Sequence, residues 1–165
     1  MKNKKVDWCL RKAERELAEI GRHRGLVKIK PDISKARKHI AKAEHYLEAT
    51  LFLKEKFSDI SASTIFYSAY HSLLAILSKF GYESGNQECT FSLIDHLIDE
   101  NKIDLDKHLI NKMSLLSKKG DEESIIEIRE KYQYGTDLSM KEELYSEIIE
   151  TAKIILGKVK KILEN

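Results

Sequence analysis

Apolar side chains recur along this chain of 165 residues at alternating steps of three and four positions, the spacing of one face of an α-helix. The pattern predicts helices over residues 4–23, 32–56, 58–81, 90–100, 105–118, 121–134 and 139–163. No segment shows the alternation of a half-buried strand. Because the connections between helices are short, we predict an all-α fold, an antiparallel up-and-down helical bundle with an added N-terminal helix. The inward face of the last helix is predicted to be Leu144, Ile148, Ala152, Ile155, Val159 and Ile162.

Three of the predicted helices begin at capping signals. Ser58 is placed to cap the third helix. Gly120 is followed by acidic residues, which are favoured at the positive end of a helix dipole and indicate a new helix from residue 121. Ser139 and Glu142 have the spacing of a capping box for the last helix.

The chain holds few residues that break helices, with seven Gly and one Pro. This composition excludes a turn-rich β-sandwich, a disordered Pro/Gly-rich chain and a collagen-like chain. The charge is uneven, because residues 1–30 hold ten basic and four acidic side chains and the remaining residues hold 19 and 23. We therefore divide the chain into a basic N-terminal helix and linker, residues 1–31, and a helical bundle, residues 32–165. The candidate nucleic-acid or partner contacts in the first part, where an ordinary solvated face is the alternative, are Arg11, Lys12, Arg15, Arg22, Arg24, Lys28 and Lys30.

Two features bear on the compartment of the protein. Cys9 and Cys89 are too few for a disulfide scaffold, and we predict that they are reduced thiols in a cytoplasmic protein. The N-terminal residues lack the apolar core of a secretory signal. An uncharged stretch, residues 60–78, contains five Ser, which makes it too polar for a helix facing lipid. We predict that this stretch is the buried central helix of the bundle and that the protein has no membrane partner.

Arg129 is the most informative residue for function. On a helix over residues 121–134 it lies in the middle of the apolar arc formed by Ile125, Ile128 and Tyr132. Burying an unpaired charge is costly, so Arg129 must have a partner or face a cleft. Two interpretations follow, a structural salt bridge or a ligand for a phosphate or another oxyanion, for which a guanidinium is well suited.

The predicted central helix carries a polar strip that includes Tyr67 and His71. His71 is either a structural residue with satisfied hydrogen bonds or a catalytic or binding residue. Tyr67 and Tyr70 are interpreted as core aromatics with hydrogen-bonded hydroxyls, with stacking on a base as the alternative. No Glu precedes a His by three positions, and no His-Glu-x-x-His motif occurs, so we predict neither a metal nor a cofactor.

Three segments together resemble the HEPN family (higher eukaryotes and prokaryotes nucleotide-binding domain). They are residues 43–47 (Ala-Glu-His-Tyr-Leu), residues 63–74 with Tyr-Ser-Ala-Tyr-His at their centre, and residues 129–135 (Arg-Glu-Lys-Tyr-Gln-Tyr-Gly). The resemblance covers roughly residues 32–163. The whole chain also resembles stand-alone prokaryotic members of the family that have an added N-terminal helix. It implies a helical bundle, commonly a homodimer, often encoded beside a minimal nucleotidyltransferase in a toxin–antitoxin pair.

Many members of this family are metal-independent ribonucleases whose motif is Arg, four to six residues, then His. Arg129 matches the Arg, whereas Tyr134, Gly135 and Thr136 occupy the positions of the His, and no His follows them. The resemblance therefore implies a homodimer that binds nucleotide or RNA and lacks efficient ribonuclease activity. Two alternatives remain, a ribonuclease toxin that uses His71 as its base and a structural module that binds a nucleotidyltransferase-type protein. The candidate binding residues are Arg129, Tyr132, Tyr134, Tyr67 and His71.

Overall fold

The computed structural model describes residues 3–114 and 123–165, and 73% of them are helical. This confirms the predicted all-α class. The helices are α1 (Lys4–Ile20), α2 (Ile33–Leu53), α3 (Ser58–Lys79), α4 (Gln87–Asp99), α5 (Lys107–Met113), α6 (Ile125–Tyr134) and α7 (Glu142–Glu164). Two short strands, β1 (Leu26–Lys28) and β2 (Tyr82–Ser84), complete the fold.

Helix α3 is the central helix of the bundle. It packs most extensively against α2, then against α7 and α6, and it also contacts α4 and β2. Its small residues, including Ala62, Ser68 and Ala69, are fully buried and allow the neighbouring helices to approach closely. Among the described residues α3 alone is long and apolar enough to cross a membrane, and 61% of its most apolar stretch is buried inside the molecule. This burial is what the core helix of a bundle requires.

The two strands correct the expectation that the chain forms no β-structure. β1 pairs antiparallel with β2, with Leu26 opposite Ser84 and Lys28 opposite Tyr82. Strands of three residues are too short to produce a readable alternation in sequence. Gly81 connects α3 to β2 at a φ of 77°, where a Cβ would lie 2.7 Å from the backbone oxygen of Ile29. Only glycine fits this turn without displacing the backbone.

The prediction that both cysteines are reduced thiols is wrong. Cys9 of α1 and Cys89 of α4 form a disulfide, and both are fully buried. They are 80 positions apart in the chain, so their spacing gave no sign that the fold brings them together. Lys5 of α1 also forms an ion pair of 2.5 Å with Glu88 of α4. The basic N-terminal helix is thus fastened to its own bundle.

The helix ends differ from the predicted ones in ways that the hydrogen bonds explain. α1 ends at Ile20, before His23, because Gly21 adopts a left-handed conformation with its amide bonded to the Leu17 carbonyl. The backbone amide of Met140 donates to Ser58 Oγ at 2.8 Å. This bond docks the loop before α7 onto the start of α3.

The predicted caps at Ser58 and at Ser139 are therefore both wrong. α3 has Phe57 at its N-cap without a side-chain bond, and α7 begins at Glu142 with Lys141 as its N-cap. The capping box lies instead at the start of α6, where Ser124 and Glu127 exchange hydrogen bonds with each other's backbone amides. The predicted restart at residues 120–122 lies outside the described residues.

Candidate nucleotide-binding site

Arg129 lies on the side of α6 that faces α3. The neighbouring isoleucines of α6 are buried, and 11% of the Arg129 side chain is exposed. Its guanidinium carbon lies 4.4 Å from the centre of the Phe66 ring and 6.0 Å from the centre of the Tyr67 ring. A desolvated cation over an aromatic face gains about 2 kcal/mol, which offsets part of the cost of removing the charge from water.

Within the described residues, few of the hydrogen-bond donors of the Arg129 guanidinium have a partner. Its Nη2 atom lies 3.7 Å from Glu130 Oε1, which is a loose contact with a carboxylate that is half exposed. Its buried Nε atom has no hydrogen-bond partner in residues 3–114 and 123–165. A guanidinium has five donors, and leaving buried donors unpaired is unfavourable. The contact with Glu130 is therefore weaker than the structural salt bridge that was one of the two interpretations of Arg129 from the sequence.

A series of stacked rings leads away from Arg129 across α3 and α2. Tyr67 of α3 stacks on Tyr46 of α2 with ring centres 5.5 Å apart. Tyr46 stacks in turn on His71 of α3 at 5.6 Å. His71 lies 5.3 Å from His39 of α2. All four rings are partly exposed, so the series forms a continuous aromatic surface from Arg129 to the His39–His71 pair.

The His39–His71 pair is joined by a hydrogen bond of 3.0 Å between the two Nδ1 atoms. One Nδ1 must donate and the other accept, so the bond requires complementary tautomers. Burial first, and then the nearby His71 and Lys35, lower the pKa of His39 from 6.5 to about 4. Burial, followed by the charge of Lys42, also lowers the pKa of His71. Both rings are therefore neutral at neutral pH.

The remaining aromatic candidates occupy different environments. Tyr70 is a core residue, because its hydroxyl bonds to Thr90 Oγ1 at 3.0 Å and its ring stacks on Phe66. Its burial raises the pKa of the hydroxyl. Tyr132 is half-buried against the core. Tyr134, at the last position of α6, is 78% exposed and projects into solvent.

Sequence reasoning missed His39 and Tyr46 as parts of this surface, and it missed the fully buried Phe66 ring that the Arg129 guanidinium contacts. His39 and Tyr46 are seven positions apart on α2 and therefore share one face of that helix, as Tyr67 and His71 do on α3. The signal was present in both spacings, but it could not show that the two faces meet. Within the described ranges, no group of three or more His, Cys, Asp or Glu side chains converges as metal ligands would.

The fold and the site define an α-helical domain with an arginine held over aromatic rings at its centre. The model of the HEPN domain family matches residues 36–162 of the chain. The chain belongs to the HEPN family, and this membership indicates a function related to nucleotides or RNA. The match spans α2 to α7 and leaves α1 and β1 outside it. No curated protein matches the sequence.

Proposed function

We propose that this protein binds the phosphate of a nucleotide or RNA through Arg129, acts as a homodimer, and cleaves RNA poorly. The observation that carries the proposal is the guanidinium of Arg129, which is held over the rings of Phe66 and Tyr67 and whose Nε has no hydrogen-bond partner among the described residues. Guanidinium groups bind phosphate oxygens through charge-assisted hydrogen bonds. The partly exposed ring of Tyr67 beside it provides a surface on which a base can stack.

Low ribonuclease activity is expected because the His of the family motif does not follow Arg129 in this chain. In catalytic members of the family the His that promotes attack by the RNA 2′-hydroxyl follows the Arg after a gap of four to six residues, which corresponds to positions 134–136 of this chain. Here Tyr134 is the first residue in that interval, and a phenol with an ordinary pKa near 10 is a poor base at neutral pH. Binding without efficient cleavage is therefore the expected behaviour.

Binding measurements on Arg129 variants test the proposal. ATP and a labelled single-stranded RNA would be titrated into the wild type, Arg129→Ala and Arg129→Lys, with Lys102→Ala as the control. Lys102 is exposed on the connection between α4 and α5. Loss of a charge-assisted hydrogen bond predicts binding about tenfold weaker for Arg129→Ala. Equal affinity of Arg129→Ala and wild type, or no binding by wild type, refutes the site assignment.

Large exposed apolar side chains support the proposed association of two copies. They lie where α2 ends and α3 begins, and on the loop before α7 that docks onto the start of α3. Contiguous exposed apolar surface marks interaction sites. The residues are Leu51, Phe52, Phe57, Ile60 and Leu138. Sedimentation equilibrium should show a dimer that Phe52→Asp weakens, and a monomer at all concentrations would contradict this part of the proposal.

The His39–His71 pair favours a second candidate function, a metal-independent ribonuclease. A neutral imidazole can accept a proton, and His71 is neutral at neutral pH. RNA cleavage that persists in a chelator and is abolished by His71→Ala would establish this activity. Absence of cleavage at high protein concentration would exclude it. A nucleotidyltransferase-type protein partner stays a prediction, which co-purification of the two proteins would test.

A further inference from the structure

The first part of α2 is basic and lies at the end of the aromatic surface that is remote from Arg129. Between Ile33 and Glu44 the helix contains no acidic residue. Lys42 places its Nζ atom 5.1 Å from the centre of the Tyr46 ring. The basic residues of this part of α2 are Lys35, Arg37, Lys38 and Lys42.

The His39–His71 pair lies within this basic region and offers hydrogen-bonding groups to an anion. The two Nδ1 atoms bond to each other, which directs the Nε2 edge of each ring away from the pair. A cation is poorly suited to the site, because Lys35 and Lys42 both act on the pair as positive charges. A phosphate group is attracted by the same charges.

We infer that His39, His71 and Lys42 form a second phosphate subsite, so that the surface from Arg129 to His39 binds a single-stranded RNA several nucleotides long. This inference rests on the proposed binding of phosphate by Arg129. Bases of the strand stack along Tyr67 and Tyr46 between the two subsites.

The spacing of the rings favours a strand over a single nucleotide. The steps from Arg129 through Tyr67, Tyr46 and His71 to His39 are each between 5.3 and 6.0 Å. Successive nucleotides in a stacked strand advance about 3.4 Å. His39 and Tyr46, seven positions apart, are separated by roughly 10 Å along α2, which is about three such steps. The surface is therefore longer than one nucleotide, and it has a basic group at each end with aromatic rings between them, as surfaces that bind single-stranded nucleic acids do.

Binding at this subsite is coupled to protonation. A phosphate beside the pair stabilises the charged imidazole and raises the pKa of His39 or His71 from its lowered value. The other groups that face the pair are Lys35 and Lys42 of α2 and, through its 2.8 Å bond to Lys35, Glu83 of β2. His23 lies on the far side of Glu83 at 3.5 Å. RNA binding should therefore take up protons and strengthen as the pH falls.

Fluorescence anisotropy with labelled hexauridylate tests the inference, because neither uracil nor a phosphodiester titrates in the mildly acidic range. The wild-type affinity should be about fivefold higher at roughly pH 5.5 than at roughly pH 7.5 at constant ionic strength. His39→Gln combined with His71→Gln should abolish this ratio. His45→Gln, an exposed histidine on the same helix, should preserve it. Thermal unfolding of each variant checks that it is folded.

The outcomes separate the two proposals. Arg129→Ala should weaken binding at both pH values and keep the ratio between them. Lys42→Gln, a change at an exposed side chain, should weaken binding and reduce the dependence on salt by about one charge. A pH ratio that survives in the double histidine variant overturns the second subsite, while binding lost in Arg129→Ala would still support the proposed function. Wild-type affinity in Arg129→Ala overturns both.

Discussion

Replacement of His39 by Gln should make the stability of the folded protein less sensitive to mild acid. In the unfolded chain His39 binds a proton near pH 6.5, whereas in the folded protein its pKa is about 4. Between these values the unfolded state holds more protons, so the free energy of unfolding falls as the pH falls. The contribution of the neutral His39 is complete above pH 6.5 and is lost progressively as the pH falls towards 4.

The size of the effect follows from this pKa shift. Without any correction for solvent, the shift lowers the free energy of unfolding by about 1.8 kcal/mol between pH 7 and pH 5. His39 is only half-buried, and screening by solvent reduces this to about 1 kcal/mol. Because ordinary carboxylates titrate mainly below pH 5, they contribute little to the change in the free energy of unfolding between pH 7 and pH 5.

Urea unfolding at the two pH values measures this difference directly. The wild type should lose about 1 kcal/mol more than His39→Gln between pH 7 and pH 5, while the exposed His45→Gln should behave as wild type. The lowered pKa of His71 also makes the folded protein less stable in mild acid, so part of the pH dependence of the free energy of unfolding should remain in His39→Gln. Identical losses in wild type and His39→Gln would refute the reasoning, since they would show that the buried pair does not control the acid response.

Two further predictions concern stability. Reduction of the Cys9–Cys89 disulfide, which closes a loop of 80 residues, should lower the free energy of unfolding by up to about 4 kcal/mol. Urea transitions with and without a reductant measure this, and coincident transitions would contradict it. Ser124→Ala removes the capping box of α6 and should cost about 1 kcal/mol, whereas Ser146→Ala at an exposed position of α7 should be neutral or stabilising. Thermal unfolding compares these variants, and equal midpoints for Ser124→Ala and wild type would contradict the role of the cap.

Helix periodicity predicted most of the bundle because each helix buries one continuous face. The predicted inward face of α7 is buried from Ile148 to Ile162, and Leu144 packs against the core from its edge. The ends of the helices were less predictable, since they depend on contacts with distant parts of the chain. Ser58 shows this clearly, because its hydroxyl accepts a bond from Met140 instead of capping its own helix.

The candidate site was predictable only where a single helix determined it. Arg129 stood out because one helix placed a charge among apolar residues, and the structure holds it at 11% exposure. His39 and Tyr46 looked ordinary on α2, since their role depends on packing against His71 and Tyr67 of α3. The disulfide was not predicted for the same reason, since Cys9 and Cys89 lie on different helices that meet only in the folded protein. Contacts between distant residues carry no signature in the spacing within one helix.

The central claim is that the guanidinium of Arg129 binds phosphate, and its Nε–H resonance tests this most directly. Arg129→Lys lacks this resonance, which identifies it in the spectrum of the ¹⁵N-labelled wild type. Titration with hexauridylate should shift the resonance saturably, with the affinity found by anisotropy, because the ligand changes the charge beside a group whose Nε has no partner among the described residues. A resonance that stays unchanged while the RNA binds would contradict the account.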